Sequence, residues 1–291
     1  MPCVQRVTLA TLAERKRAGE KFAVLTCYDC STARILAAAG MDVLLVGDSA
    51  AEVVLGHPDT RRVSVDFLVE ITAAVRRGAP GAFLIADLPY AAGYHDDPAA
   101  GVTAARRFAE EAGCDVVKIE LHREQLPVLE AVRAAGIGVM AHVGLRPQWV
   151  TGAEGYRGQG KDAASAMAIL EESRLMEEAG ASMLLLEAVA AEVAAEVCSR
   201  ARIPVVGCVS GPACDGTVVV LHDILGWGGG HPPKSVRRYT DLHAIISEAC
   251  GRYRADDREG RFPAAEVAIR MTPDEYEQWR KRLAASGGTS A

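Results

Sequence analysis

Seven short apolar runs, each followed by an alanine-rich segment of helical period, set the rhythm of this chain. The runs are FAVLTCYD (22–29), MDVLLVGD (41–48), GAFLIADLPY (81–90), CDVVKIE (114–120), IGVMAHVGL (137–145), ASMLLLEAV (181–189) and RIPVVGCVSG (202–211). A weaker eighth, TVVVLHDILG, ends at Gly226. Several intervening segments close on Ala-Gly, a glycine stop before the next strand. Strands that are apolar along their whole length need cover on both faces, which means a parallel sheet wrapped by helices. About eight such units fit a closed (β/α)8 TIM barrel better than an open doubly wound sheet. No G-x-G-x-x-G opens the first turn, and neither GYRGQG (155–160) nor GWGGG (226–230) is a strand-to-helix loop of that type, so nucleotide binding has little support.

The expected organisation is a single barrel domain over 1–263, with an N-terminal helix before about residue 20. No linker divides it, and residues 264–291 form a helical tail. Within the tail, 272–288 reads as a helix with a Thr272–Glu275 capping box, Pro273 at its first position and Gly287 as terminator. It is expected to pack on the barrel or on a neighbouring subunit.

A hydrophobic content of 49% supports a large core, and a formal net charge of −6 with no basic, aromatic-rich cluster argues against nucleic-acid or anionic-membrane partners. There is no signal-peptide h-region and no apolar run of membrane-spanning length, so a cytoplasmic protein is expected. The eight cysteines are scattered. CYDC (27–30) lacks the second pair that a zinc site needs, and reduced thiols are the expectation.

In a barrel of this kind the reacting groups sit at the C-terminal ends of the strands. Those ends carry Asp29, Asp48 with Ser49, Asp87, Lys118 with Glu120, His142 and Glu187. Any one of them has a bland explanation as a cap, a turn former or a satisfied core residue. Ionisable residues at six consecutive strand ends make a site. Alternation puts Val116, Lys118 and Glu120 on one face of their strand, and charges so deep are costly unless paired or bound to something. Asp48, Asp87 and Glu120 are hard oxygen donors suited to Mg²⁺, with coordination positions left for the carboxylate and keto oxygens of a 2-oxo acid. A metal there acidifies the carbon beside the carbonyl. Lys118 and His142 are placed to meet the carboxylate and enolate oxygens. Glu187, in an apolar neighbourhood that raises its pKa, is the natural base.

With those residues in place, the chain resembles the ketopantoate hydroxymethyltransferase family of the phosphoenolpyruvate/pyruvate barrel superfamily. The matching motifs include LTCYD (25–29), LLVGDS (44–49), ADLPY (86–90), VKIE (117–120), HVGLRPQ (142–148), GYRGQG (155–160), CDGTVVVLHDILG (214–226) and PKSVRRY (233–239). They run in order from about Thr8 to Pro263. The resemblance implies transfer of a hydroxymethyl group from 5,10-methylenetetrahydrofolate to 3-methyl-2-oxobutanoate in pantothenate biosynthesis. It implies Mg²⁺ on Asp48, Asp87 and Glu120, oxo acid on Ser49, Asp87, Lys118 and His142, and Glu187 as base. It also implies a homo-oligomer, commonly a decamer.

Four stretches depart from the family pattern: DSAAE (48–52), ELH (120–122), GCVSG (207–211) and Arg146. A glycine-rich Gly-Ile-Gly-Ala-Gly is usual where GCVSG stands. Arg146 and His122 either admit a more anionic substrate or point to solvent. A paralogue acting on another 2-oxo acid therefore stays open, as does weakened folate binding. A folate-independent Mg²⁺-dependent lyase or phosphonomutase stays open too. A Schiff-base role for Lys118 is disfavoured, because surrounding carboxylates raise a lysine pKa. A silent oligomeric scaffold would leave the strand-end residues unexplained.

Overall fold

The computed structural model describes residues 6–150, 157–228 and 235–286. Its centre is a closed barrel of eight parallel strands in sequential order. They are β1 (Phe22–Thr26), β2 (Val43–Val46), β3 (Phe83–Asp87), β4 (Val116–Glu120), β5 (Gly138–Gly144), β6 (Met183–Glu187), β7 (Val205–Cys208) and β8 (Gly216–Val219). Each expected strand is present. The weak eighth run contributes only Gly216–Val219, and its LHDIL portion turns into a short helix, Leu221–Leu225. The motifs GYRGQG and PKSVRRY, and the terminator Gly287, lie wholly or partly outside the described residues.

Two apolar layers hold the barrel together. Phe22, Val24, Val43, Leu45, Phe83, Ile85, Val116, Met140, Met183, Leu185, Val206 and Val218 fill its interior. Alternate residues such as Leu44, Leu84, Val117, Ile119, Ala141, Leu184 and Leu186 face outward and meet the helices. This two-sided burial is what the uninterrupted apolar runs required.

One end of the barrel is closed. The helix Leu9–Ala18 is capped by Thr8, whose hydroxyl accepts from Thr11 N–H, and ends on Gly19 at φ 70°. Its buried Leu12 joins the interior cluster. Cations on and before this helix pair with the aspartates that precede the strands: Arg6 with Asp115 at 2.7 Å, Arg15 with Asp42 at 2.6 Å and Lys16 with Asp215 at 2.8 Å. The N-terminal ends of the strands are thereby plugged and tied, which leaves chemistry to the C-terminal ends.

The chain divides into two compact units, Met1–Thr240 and Asp241–Ala291, ahead of the boundary expected at 263. The helix Leu242–Arg258, expected within the barrel domain, belongs to the second unit, and none of its residues is buried. That unit also contains the expected tail helix, Pro273–Ser286, whose Glu275 N–H donates to Thr272 Oγ1 at 3.4 Å, one half of the expected capping box.

Candidate active site

Alternation along the strands decides which side chains enter the barrel. The inward set Phe83 and Ile85 continues to Asp87, Val116 continues to Lys118 and Glu120, Met140 to His142, and Met183 and Leu185 to Glu187. Strand register then brings them together across the sheet. Asp87 pairs with Lys118, Glu120 with His142, and Gly144 with Glu187. Gly144 has φ 96°, and a Cβ there would lie 2.5 Å from the Glu187 carbonyl oxygen, so β5 and β6 meet as they do only because this residue is glycine.

Lys118 Nζ lies 2.8 Å from Asp87 Oδ2 and 3.3 Å from His142 Nδ1. An ammonium donates hydrogen bonds and accepts none. His142 Nδ1 is therefore the acceptor, and the neutral ring carries its proton on Nε2, which faces Glu187 Oε2 at 3.5 Å. Burial pushes His142 well below its ordinary pKa, and the charges of Lys118 and Arg146 push the same way, in agreement with a neutral ring. Burial alone would lower Lys118 as well, but Asp87, Asp48 and Glu120 outweigh it and hold the ammonium charged.

Asp48 lies just beyond β2, where its N–H donates to Asp87 Oδ2 at 3.2 Å. Ser49 Oγ shares a 2.8 Å hydrogen bond with Tyr28 OH, which ties it to the end of β1. Glu187 is the more accessible acid, with 21% of its side chain exposed against 1% for Asp87 and Glu120. Burial still raises its carboxyl to about 7, against the opposing pull of Lys118. Asp29 stays out of the group: it is exposed and caps the helix Cys30–Ala38 by accepting from Thr32 N–H at 2.8 Å.

Four carboxyl groups thus share one ammonium. Burial raises Asp87 and Glu120 well above the usual carboxylate range, and Asp48 adds to the rise at both. Asp87 Oδ1 and Glu120 Oε1 are buried without a hydrogen-bond partner. Such oxygens are costly unless a proton or a cation completes them, and a hard divalent ion suits their chemistry. Among the described residues no three acidic, histidine or cysteine side chains close on one ion-sized point, so the set fits by donor type and bare oxygens rather than as a finished shell.

Two contributors were not singled out by the sequence. Gln148 is fully buried and bonded to both Asp48 and Glu120. Tyr94, also fully buried, donates to Gln148 Oε1 at 2.8 Å. Gln148 stood within a recognised motif, but nothing in its neighbours distinguishes a buried amide from a turn residue.

Arg146 neither enters the barrel nor points to solvent. It is 7% exposed, donates to the carbonyls of His142 and Gly144, and pairs with Glu172 at 2.5 Å. Its guanidinium is spent on the helix Ala163–Glu178, because an arginine buried this deeply needs an anion beside it. His122 is half-buried, meets Trp149 edge-on at 4.7 Å and lines a cavity of about 290 Å³ with Arg123, Ile169 and Glu172. The altered GCVSG segment holds Val209 at φ 55°, a left-handed conformation natural to glycine.

The profile of the ketopantoate hydroxymethyltransferase family matches residues 6–265. A 3-methyl-2-oxobutanoate hydroxymethyltransferase of Oleidesulfovibrio alaskensis is 40% identical over 280 residues, 96% of each chain. Another of that name, from Acidothermus cellulolyticus, is 44% identical over 263 residues, 90% of this chain and 96% of its own. Among solved structures, phosphonopyruvate hydrolase in complex with oxalate and Mg²⁺ superposes with a TM-score of 0.60 at 14% identity, covering 97% of this chain and 99% of its own. A phosphoenolpyruvate phosphomutase from Streptomyces platensis subsp. rosaceus also gives 0.60, at 18% identity, over 96% of this chain and all of its own. At those identities the likeness is one of fold.

Proposed function

Because the chain belongs to the ketopantoate hydroxymethyltransferase family, we propose that it transfers a one-carbon unit from 5,10-methylenetetrahydrofolate to the carbon beside the keto group of 3-methyl-2-oxobutanoate. Water supplies the hydroxyl, and the products are 2-dehydropantoate and tetrahydrofolate. The observation that carries this reading is the convergence of Asp87, Lys118, Glu120, His142 and Glu187 inside one end of the barrel.

Asp48, Asp87 and Glu120 are the residues that would hold a divalent cation, with Mg²⁺ the expected one. When bound, such an ion polarises the carbonyl and lowers the cost of removing the neighbouring proton. Lys118, kept charged by its acidic neighbours, meets the substrate carboxylate, and Ser49 with Asp87 helps to orient it. Neutral His142 offers its Nε2 proton as a hydrogen-bond donor to the oxygen that gains charge. Glu187 removes the proton from the carbon. Burial raises its basicity, and partial exposure keeps it within reach of substrate.

The usual branched 2-oxo acid is favoured over a more anionic one, because Arg146 is already neutralised by Glu172. The same reading places the protein in the cytoplasm as a homo-oligomer. Apolar side chains left exposed on the second unit, among them Ile245, Ile269, Met271 and Trp279, support assembly, which light scattering tests.

The deciding experiment follows the proton. The protein is incubated in D₂O with Mg²⁺ and 3-methyl-2-oxobutanoate, with and without 5,10-methylenetetrahydrofolate, and watched by NMR. Cation-dependent deuteration at the branched carbon, lost in Glu187→Gln, is expected, with hydroxymethylated product only when the folate is present. Absence of exchange overturns the mechanism, and exchange without product in the presence of the folate overturns the transferase assignment.

A further inference from the structure

Gln148 has every polar group of its amide engaged. It lies in the turn Pro147–Trp149 that follows β5, with no exposed surface. Its Nε2 donates to Asp48 Oδ2 at 2.8 Å and to the Leu88 carbonyl at 3.0 Å. Its Oε1 accepts from Tyr94 OH at 2.8 Å, and its backbone N–H donates to Glu120 Oε2 at 3.0 Å. One residue therefore grips two of the three candidate cation ligands, which come from different strands.

The amide has one sensible orientation. Reversed, it would turn Oε1 toward the Asp48 carboxylate and the Leu88 carbonyl, two acceptor–acceptor contacts at a fully buried position. Tyr94 OH, donating to Oε1, fixes the orientation that sends both amide protons the other way. Tyr94 is itself held, fully buried and stacked on His95 at 4.0 Å between ring centroids.

What Gln148 leaves alone is as informative as what it holds. It occupies one oxygen of each carboxylate and leaves Glu120 Oε1 bare. As a neutral donor it satisfies those oxygens without cancelling their charge. A lysine in its place would neutralise the acids and compete with a cation. A neutral amide that orients ligands while preserving their negative charge acts as an outer-shell partner of a metal site.

We propose that Gln148, locked by Tyr94, is the positioning residue that sets Asp48 and Glu120 for a divalent cation. This rests on the cation reading of the site given above. A purely architectural Gln148 would affect stability and leave ion affinity unchanged in the folded protein, so the two roles separate experimentally.

The test measures Mn²⁺ binding to the full-length protein by electron paramagnetic resonance, without substrate, for wild type, Gln148→Met and Tyr94→Phe. Circular dichroism and melting temperature report folding. Gln148→Met keeps the side-chain length and removes the amide donors to Asp48 and Leu88, while the backbone N–H to Glu120 remains. Folded Gln148→Met is expected to weaken the Mn²⁺ Kd by about tenfold or more, with a smaller loss in the same direction for Tyr94→Phe. If Gln148→Met fails to fold, Tyr94→Phe decides. Wild-type affinity in the folded variants overturns the positioning role alone. Failure of the wild type to bind Mn²⁺ overturns the cation reading and this inference together.

Discussion

Lys118 Nζ stands 2.8 Å from Asp87 Oδ2 with the two side chains only 6% and 1% exposed, an opposite-charge contact buried in the barrel mouth. A buried pair is weak evidence for stability, since the loss of solvation on both sides offsets the attraction. Breaking it from one side is another matter. Lys118→Met leaves Asp87, Asp48 and Glu120 without their cation and is expected to cost about 3–5 kcal/mol in urea unfolding. Substrate binding should fall with it, and an unchanged unfolding midpoint would contradict the electrostatic account.

Glu187 predicts the pH dependence. Its carboxyl is raised to about 7 by burial, and only the ionised form accepts a proton from carbon. The exchange rate should therefore rise with pH and level off above the pKa. A bound cation would lower that midpoint. Glu187→Gln should lower the rate by about 10²–10⁴ and remove the rising limb. A flat profile in the wild type would assign the base elsewhere.

Much of this arrangement was legible in the sequence, because a buried parallel barrel leaves a plain trace: apolar strands whose last inward residue is ionisable. That trace located Asp87, Lys118, Glu120, His142 and Glu187 before any contact was known. It misjudged Asp29, since a strand-end aspartate and a helix cap have the same sequence appearance. It left Arg146 open, because its partner Glu172 lies a helix away and nothing local announces the pairing. Gln148 escaped notice because an amide's role is decided wholly by the atoms around it.

Glu120 illustrates a site whose demands oppose stability. It is fully buried, Oε1 lacks a hydrogen-bond partner, and burial pushes its pKa well up. Glu120→Gln removes a buried acid while keeping an oxygen for the Gln148 N–H. Without divalent cation, the variant should be more stable than wild type by ~1 kcal/mol, the usual trade between site chemistry and fold. Added Mg²⁺ should raise the melting temperature of wild type and not that of the variant. A less stable variant would mean that Glu120 serves the fold.

Arg146 yields a prediction about specificity. With its guanidinium committed to Glu172 and to two backbone carbonyls, it is unavailable to a substrate anion. Arg146→Thr should cost stability, because Glu172 loses its partner, yet leave the relative kcat/KM among branched and dicarboxylic 2-oxo acids unchanged. A change in ranking across such a panel would return Arg146 to the pocket.

Val209 carries backbone strain. It sits at φ 55°, and a β-branched side chain is poorly suited to the left-handed region. The side chain is 48% exposed, so little packing repays the conformation. It follows Cys208, the residue in register with Glu187, so the strain lies beside the proposed base. Val209→Gly restores the residue type that this conformation favours and is expected to stabilise the fold by about 1 kcal/mol, set by the strain released less the backbone freedom gained on unfolding. Chemical denaturation measures the gain, and deuterium exchange measures its consequence. A stabilised variant with unchanged exchange would make the strain incidental, whereas slower exchange would show that valine helps to set the geometry of β7 against Glu187.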